Sequence, residues 1–178
     1  MLWIDQILPP FSIEPEVLRM STPITELPFG LPGRVYRSAM PFGLYDREGK
    51  IYPAYLDANI STVVILAETS EILEKCGRDL RKLYLQQGMG VLHLPIQDYD
   101  IPDPKLQKQT VTEALDLVRQ GKNIAIHCSG GIGRTGMMLA CMAKQVFQTD
   151  GEQAIAWVRK YLPGAVETDY QRQLVIDF

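Results

Sequence analysis

Cys128 and Arg134 stand at the two ends of a glycine-rich run, His127-Cys128-Ser129-Gly130-Gly131-Ile132-Gly133-Arg134-Thr135-Gly136, and this pairing is chemistry for gripping and attacking phosphate. The run follows an apolar segment at 123–127 and precedes a longer one at 136–143, so it reads as strand, loop and buried helix. Gly130, Gly131 and Gly133 tolerate positive φ and carry no Cβ, which lets consecutive amides from Ser129 onward curl into an anion nest at the helix start. Thiols at helix N-termini beside an arginine titrate below the ordinary value of about 8.5 and attack as thiolates. Arg134 adds a planar fork for two phosphate oxygens, tightening in the transition state, a geometry that lysine lacks. No Gly-Lys-Ser/Thr follows the glycines, which excludes a Walker nucleotide site.

Thiolate attack on a phosphomonoester expels an alkoxide or phenoxide, so an acid must protonate the leaving oxygen and a base must later activate water. The carboxylates available lie in Leu94-Pro95-Ile96-Gln97-Asp98-Tyr99-Asp100-Ile101-Pro102-Asp103-Pro104, a strand end running into a proline-punctuated loop. Asp103 precedes Pro104 and a segment with Val111, Ala114, Leu115 and Val118 on one face, the pattern of an N-cap with proline at N1. Asp98 follows the strand directly and is preferred as the acid, with Asp100 as its competitor; either is otherwise a solvated turn residue.

The Cys-x5-Arg spacing, with His127 before the cysteine and Thr135-Gly136 after the arginine, resembles the signature loop of the cysteine-based protein tyrosine phosphatase superfamily. That resemblance implies a phosphocysteine intermediate on Cys128. It further implies phosphate binding by Arg134 and the amides of Ser129, Gly130, Gly131, Ile132 and Gly133, a Thr135 hydroxyl easing departure of the thiolate, and a His127 that orients the loop. Metals and other cofactors have no part in such a mechanism. Pro95-Ile96-Gln97-Asp98 is similar to the acid loop of the smaller dual-specificity phosphatases, especially the cyclin-dependent-kinase-associated type, and it lacks the tryptophan that precedes the acid in the large tyrosine-specific enzymes. A third similarity lies in Gly164-Ala165-Val166-Glu167-Thr168-Asp169-Tyr170-Gln171, which resembles the segment that positions hydrolytic water. Glu167 replaces the glutamine often found in the first place, and Gln171 keeps the second. A helix start, with Glu167 or Thr168 serving the first turn, is the competing reading. The resemblance covers about residues 34–178.

Composition agrees with a small catalytic domain: 178 residues, 46% hydrophobic and 22% charged, describe one globular unit rather than a disordered or fibrous chain. A net charge of −3 argues against nucleic acid or an anionic membrane as partner, leaving local charge to recruit phosphate. No apolar stretch reaches the roughly 18 to 20 residues of a membrane span, and Met1-Leu2-Trp3-Ile4-Asp5-Gln6 lacks the basic start and long apolar run of a signal peptide. A cytoplasmic monomer is expected. Three cysteines cannot all pair, and no Cys-x2-Cys appears, so reduced thiols are expected. Cys76 and Cys141 lie on apolar helical faces and read as buried structural cysteines rather than as redox partners of Cys128.

The elements that must hold these groups follow from periodicity. Residues 1–33, broken by Pro9, Pro10, Pro15, Pro23, Pro28 and Pro32, read as an arm packed on the catalytic domain of residues 34–178. Strands are predicted at 34–38, 62–66, 91–95 and 123–127, and helices at 53–59, from Ser70 to near Gly88, at 104–120 and at 152–162, with further helices flanking the last. This alternation predicts an α/β fold, a central mostly parallel sheet of four to five strands flanked by helices on both sides. Sites in such folds lie at strand C-terminal ends, which places Cys128 and Asp98 on one sheet edge. His93 reads as a packed histidine, and Arg37, Ser38, Arg47 and Lys50 as solvated loop residues that could touch substrate.

The expected activity is hydrolysis of phosphotyrosine, and of phosphoserine or phosphothreonine, in a protein or peptide bound in a shallow cleft. Phosphoinositides or other small phosphomonoesters are the alternative substrates, made less favourable by the absence of lysines within the loop. A phosphate-binding scaffold without turnover and a rhodanese-like sulfurtransferase are the readings from other classes. The second needs neither an aspartate acid nor Thr135.

Overall fold

The computed structural model describes residues 23–178. Five strands, β1 (Thr25–Leu27), β2 (Val35–Ser38), β3 (Ile60–Ile65), β4 (Gly90–His93) and β5 (Asn123–His127), form one sheet in the order β1-β2-β5-β3-β4. Only β1 runs antiparallel to its neighbour; the β2–β5, β5–β3 and β3–β4 pairs are parallel. Parallel strands need crossovers, and helices supply them: α1 (Ile51–Asp57), α2 (Thr69–Cys76), α3 (Leu80–Gln86) and α4 (Pro104–Arg119). Three helices then follow in succession: α5 (Gly133–Phe147), α6 (Gly151–Tyr161) and α7 (Asp169–Asp177).

Both faces of the sheet are buried, which is why the central strands are continuously apolar. Side chains alternate along β5. Ile124 and Ile126 join the core built with α4, α5 and α6, whereas Ala125 joins the opposite core with Tyr55 of α1, Ile72 of α2 and Tyr84 of α3. Helix α5 is buried from Gly133 through Ala143, as its nearly unbroken apolar sequence requires. The mostly parallel α/β architecture therefore agrees with the pattern of alternation.

Three details differ from the periodicity reading. The helix expected from Ser70 to Gly88 is two helices, because Gly77 adopts φ +64 as the C-cap of α2 and the Asp79 side chain accepts from Lys82 N to begin α3. Ser70 is not the N-cap; Glu68 holds that place without a side-chain cap bond. Thr25–Leu27, within the segment expected to be an arm, is the edge strand of the sheet, and the arm's residues 1–22 lie outside the described residues. Asp103 does cap α4, accepting from Lys105 N at 2.8 Å and Leu106 N at 3.1 Å, with Pro104 at N1.

Between β2 and α1, the buried Asp46 organises the connecting loop. Its carboxylate accepts from the amides of Phe42 at 2.8 Å, Lys50 at 2.8 Å and Ile51 at 3.2 Å. Replacing Asp46 with alanine leaves these amides without their acceptor and is expected to lower the unfolding free energy by about 2 to 3 kcal/mol, measured by urea denaturation.

Candidate active site

Strands β3, β4 and β5 end side by side, and the backbone continues their pairing for several residues. Leu66 N donates to His127 O at 2.9 Å, and Ile96 N donates to Leu66 O at 3.0 Å, which carries the acid loop alongside the signature loop. From β5 the chain turns through residues 128–132 into α5. Met40 N donates to Ser129 O at 2.8 Å, pinning the loop to the end of β2. Gly131 adopts φ +72, and a Cβ there would strike the Ser38 carbonyl, so this position accepts only glycine. The same turn aims Gly131 N at the sulfur of Cys128, 3.2 Å away, with the thiol only 3% exposed.

Arg134 opens α5 and is 1% exposed. Glu71 of α2 grips its guanidinium with both carboxylate oxygens, at 2.7 Å and 2.9 Å, and Ile96 O accepts from the same fork at 2.8 Å. Asp98 reaches the fork from the acid loop, its Oδ1 2.8 Å from Nη2. Lys75, one turn along α2, lies 2.7 Å from Glu71, 3.0 Å from Ser129 Oγ and 3.8 Å from Asp98. Two cations and two carboxylates thus share one corner of the loop. Burial pushes the Glu71 carboxyl up, but hydrogen bonds from Arg134 and Lys75 overcome this and hold it at about 2. Burial pulls the Arg134 guanidinium down, and Glu71 outweighs that cost to raise it above its ordinary value.

The acid-loop, α7 and signature-loop residues singled out in the sequence fall into this region, but in different ways. Asp98 touches Arg134; Asp100 turns its carboxylate back to Ile101 N at 2.8 Å. Glu167 and Gln171 both lie over Gly133, where a Cβ would meet their side chains. The Gln171 carbonyl accepts from Glu167 N at 2.9 Å, and its amide donates to Asp100 O at 3.4 Å, tying the start of α7 to the acid loop. Thr168 is the side-chain N-cap of α7, accepting from Gln171 N at 3.2 Å. Thr135 is fully buried, and its hydroxyl has no hydrogen-bond partner among the described residues. Glu71 and Lys75 escaped the sequence reading. Their signal was position alone: both lie on the helix that leaves β3 at the functional edge of the sheet.

Comparison with known proteins agrees with this geometry. Residues 46–146 match the family described as "Polymorphic toxin system, DSP-PTPase phosphatase". The chain belongs to this family of dual-specificity, cysteine-dependent phosphatases. It is 42% identical over 145 residues to the dual specificity protein phosphatase CDC14C of Symphalangus syndactylus, covering 79% of this chain and 27% of that protein. The phosphatase thus spans about a quarter of the length of that relative. Among solved structures, Tk-PTP in its active form superposes with a TM-score of 0.69 at 29% identity, covering 82% of this chain and 90% of that one. Kinase associated phosphatase shares the fold with a TM-score of 0.75 at 23% identity, covering 87% and 92% of the two chains.

The remaining sequence candidates of the phosphatase have quieter places. His93 Nε2 lies 3.0 Å from Ala67 O, packed between strands. Burial raises the thiols of Cys76 and Cys141, the latter to about 12. Ser38 is buried and shares a 2.5 Å hydrogen bond with Tyr55, so it faces the core rather than a substrate. Lys50 pairs with Glu48. Among the described residues, no group of three or more His, Cys, Asp or Glu side chains is arranged to hold a metal ion.

His127 is fully buried, with Nδ1 3.1 Å from Cys128 O and Nε2 3.1 Å from Tyr84 Oη. A carbonyl only accepts, so Nδ1 carries the proton and Nε2 accepts from the tyrosine, which assigns the neutral tautomer. Burial accordingly pulls the imidazole down to about 4. The unfolded chain binds a proton near pH 6.5 that the folded one refuses until about pH 4. The stability from a neutral His127 is therefore complete above pH 6.5 and falls with pH across that window, by an amount on the order of 3 kcal/mol. The expected outcome is that His127→Asn flattens the slope of unfolding free energy against pH between 4.5 and 6.5, read from urea titrations.

Proposed function

We propose that this phosphatase hydrolyses phosphotyrosine and phosphoserine or phosphothreonine monoesters of proteins through a phosphocysteine intermediate. One observation carries the reading: a single guanidinium, Arg134, joins the loop that cradles the Cys128 sulfur to the Asp98 carboxylate. In the first step the Cys128 thiolate attacks phosphorus, the P–S bond forms as the ester P–O bond breaks, and protonated Asp98 gives its proton to the leaving oxygen. Phosphate oxygens take the place of Asp98 on Nη2 of Arg134, which frees the carboxyl to face the leaving group. Arg134 Nε, buried and without a hydrogen-bond partner among the described residues, is a further donor to the phosphoryl group. Water then attacks phosphorus while Asp98 accepts its proton. The P–S bond breaks, and the Thr135 hydroxyl, which has no other partner among the described residues, donates to the departing sulfur. Gln171, at Gly133 beside Glu167, donates to Asp100 O and fixes the acid loop for this second step.

Charge around the loop supports a protein substrate over a phosphoinositide. Lys75 brings to Ser129 a cation that the loop sequence lacks, but Glu71 and Asp98 already compensate it. Cys76, Cys128 and Cys141 are free thiols, which supports the cytoplasm as the working compartment.

Turnover of p-nitrophenyl phosphate in the presence of EDTA, abolished by vanadate, is the expected result, with Cys128→Ser lowering kcat by at least about 1000-fold. Full activity in that variant would sink the reading. Asp98→Asn is expected to lower kcat by about 100-fold or more with leaving groups of high pKa and far less with activated aryl phosphates. Equal losses across a leaving-group series would remove Asp98 from the role of acid. A panel of phosphopeptides and phosphoinositides ranks the substrate classes.

A further inference from the structure

A trough of about 540 Å³ runs beside the signature loop, with Gly130 and Ile132 on one wall and Arg37, Leu44, Tyr45 and Arg47 around it. Its charges do not cancel. Asp46, on the same wall, spends its carboxylate on the backbone amides of Phe42, Lys50 and Ile51. Glu48 and Lys50 neutralise each other in an exposed pair. Arg37 and Arg47 are left, and neither has a carboxylate partner among the described residues. Arg37 is half-buried, and its Nε is fully buried without a hydrogen-bond acceptor among the described residues. A buried donor of that kind carries a desolvation cost that a bound anion would remove. Arg47 is exposed and also lines the adjoining hollow that contains Lys75, whose ammonium bonds Ser129 of the loop. The two guanidiniums therefore flank the phosphate nest, with Arg37 near enough for its charge to be felt at the Cys128 sulfur.

We propose that this trough is a specificity subsite that receives a second anionic group of a phosphopeptide, a carboxylate or a second phosphate on a residue close to the one being dephosphorylated. The inference rests on the phosphatase reading above and names the substrate class for that site. Arg37 at the floor and Arg47 at the rim supply planar forks matched to carboxylate or phosphate. The walls favour a peptide as the carrier of that anion. Leu44 and Tyr45 are 56% and 68% exposed, and the Tyr45 ring overhangs Gly130, 3.5 Å from the position of a Cβ there. Such exposed apolar side chains cover peptide side chains and backbone, whereas a polyhydroxylated ring bearing several phosphates has no surface for them. This cationic trough also sets the preference against lysine or arginine beside the phosphorylated residue.

The test measures binding, so it does not depend on turnover. The Cys128→Ser protein is titrated by fluorescence anisotropy with three labelled phosphotyrosine peptides whose flanking residues are alanine, glutamate or lysine. The glutamate peptide is expected to bind about tenfold tighter than the alanine peptide, the size of one charge-assisted hydrogen bond, and the lysine peptide more weakly than either. The advantage of glutamate should shrink as salt is raised. Adding Arg47→Glu, an exposed change in a loop that Asp46 holds, should bring the glutamate-to-alanine ratio below about twofold or reverse it. Arg37→Gln should reduce the ratio as well. Equal affinity for the glutamate and alanine peptides overturns the subsite while leaving the phosphatase reading in place. So does a glutamate preference that survives both substitutions, or a soluble inositol bisphosphate that outcompetes the glutamate peptide. Failure of every phosphopeptide to bind removes the phosphatase reading and the subsite together.

Discussion

The structure turns on a buried positive charge. Taking a guanidinium out of water costs several kcal/mol unless every donor finds an oriented acceptor. Arg134 meets that demand at its two Nη groups, with Glu71 from α2, the Ile96 carbonyl from the acid loop and Asp98 from the same loop, while Nε is left without an acceptor among the described residues. Each partner brings its own segment with it. Helix α2 must begin beside the loop so that Glu71 reaches the fork. The acid loop must extend the pairing beyond β4, as Ile96 does on Leu66, so that a carbonyl and a carboxylate arrive together. The guanidinium is thereby fixed in place in the resting fold, at the cost of keeping a permanent counterion, Glu71, next to it.

Close backbone approach is the second constraint and acts on the sulfur side of the site. The loop can press against the end of β2 because Gly131 has no Cβ to meet the Ser38 carbonyl, and that same conformation turns its amide toward Cys128. Gly133 makes room in a similar way for Glu167 and Gln171. Gln171 then links α7 to the acid loop through Asp100, so the C-terminal helix and the loop that carries Asp98 are mechanically connected. Helix α5 anchors the whole arrangement, since burial from Gly133 to Ala143 leaves its first turn little freedom to move.

Compensation of charge distinguishes the nest from its surroundings. Arg134 and Lys75 are matched by Glu71 and Asp98. Arg37 and Arg47 have no such match among the described residues, and they line the trough beside the signature loop.

Local pattern accounts for much of what was legible in the residues alone. A strand, a glycine loop and a buried helix in contiguous sequence define the signature loop, because the anion nest is built from neighbouring amides and needs no distant partner. Asp103 as a cap and the apolar face of α4 were legible for the same reason, being interactions within a few residues. The rule that sites lie at strand C-terminal ends placed Asp98 on the edge where it meets Arg134, and the order of elements predicted the parallel sheet. The break at Gly77 was missed because the apolar residues on either side of it keep a helix-like spacing, and one positive φ decides the matter. Only the tertiary structure could reveal that Glu71 and Lys75 join Arg134, that Gln171 spends its amide on Asp100, and that Arg37 has no counterion among the described residues. Those outcomes depend on which side chains meet across 63, 71 or some other large number of residues, and on what burial then makes each charge require.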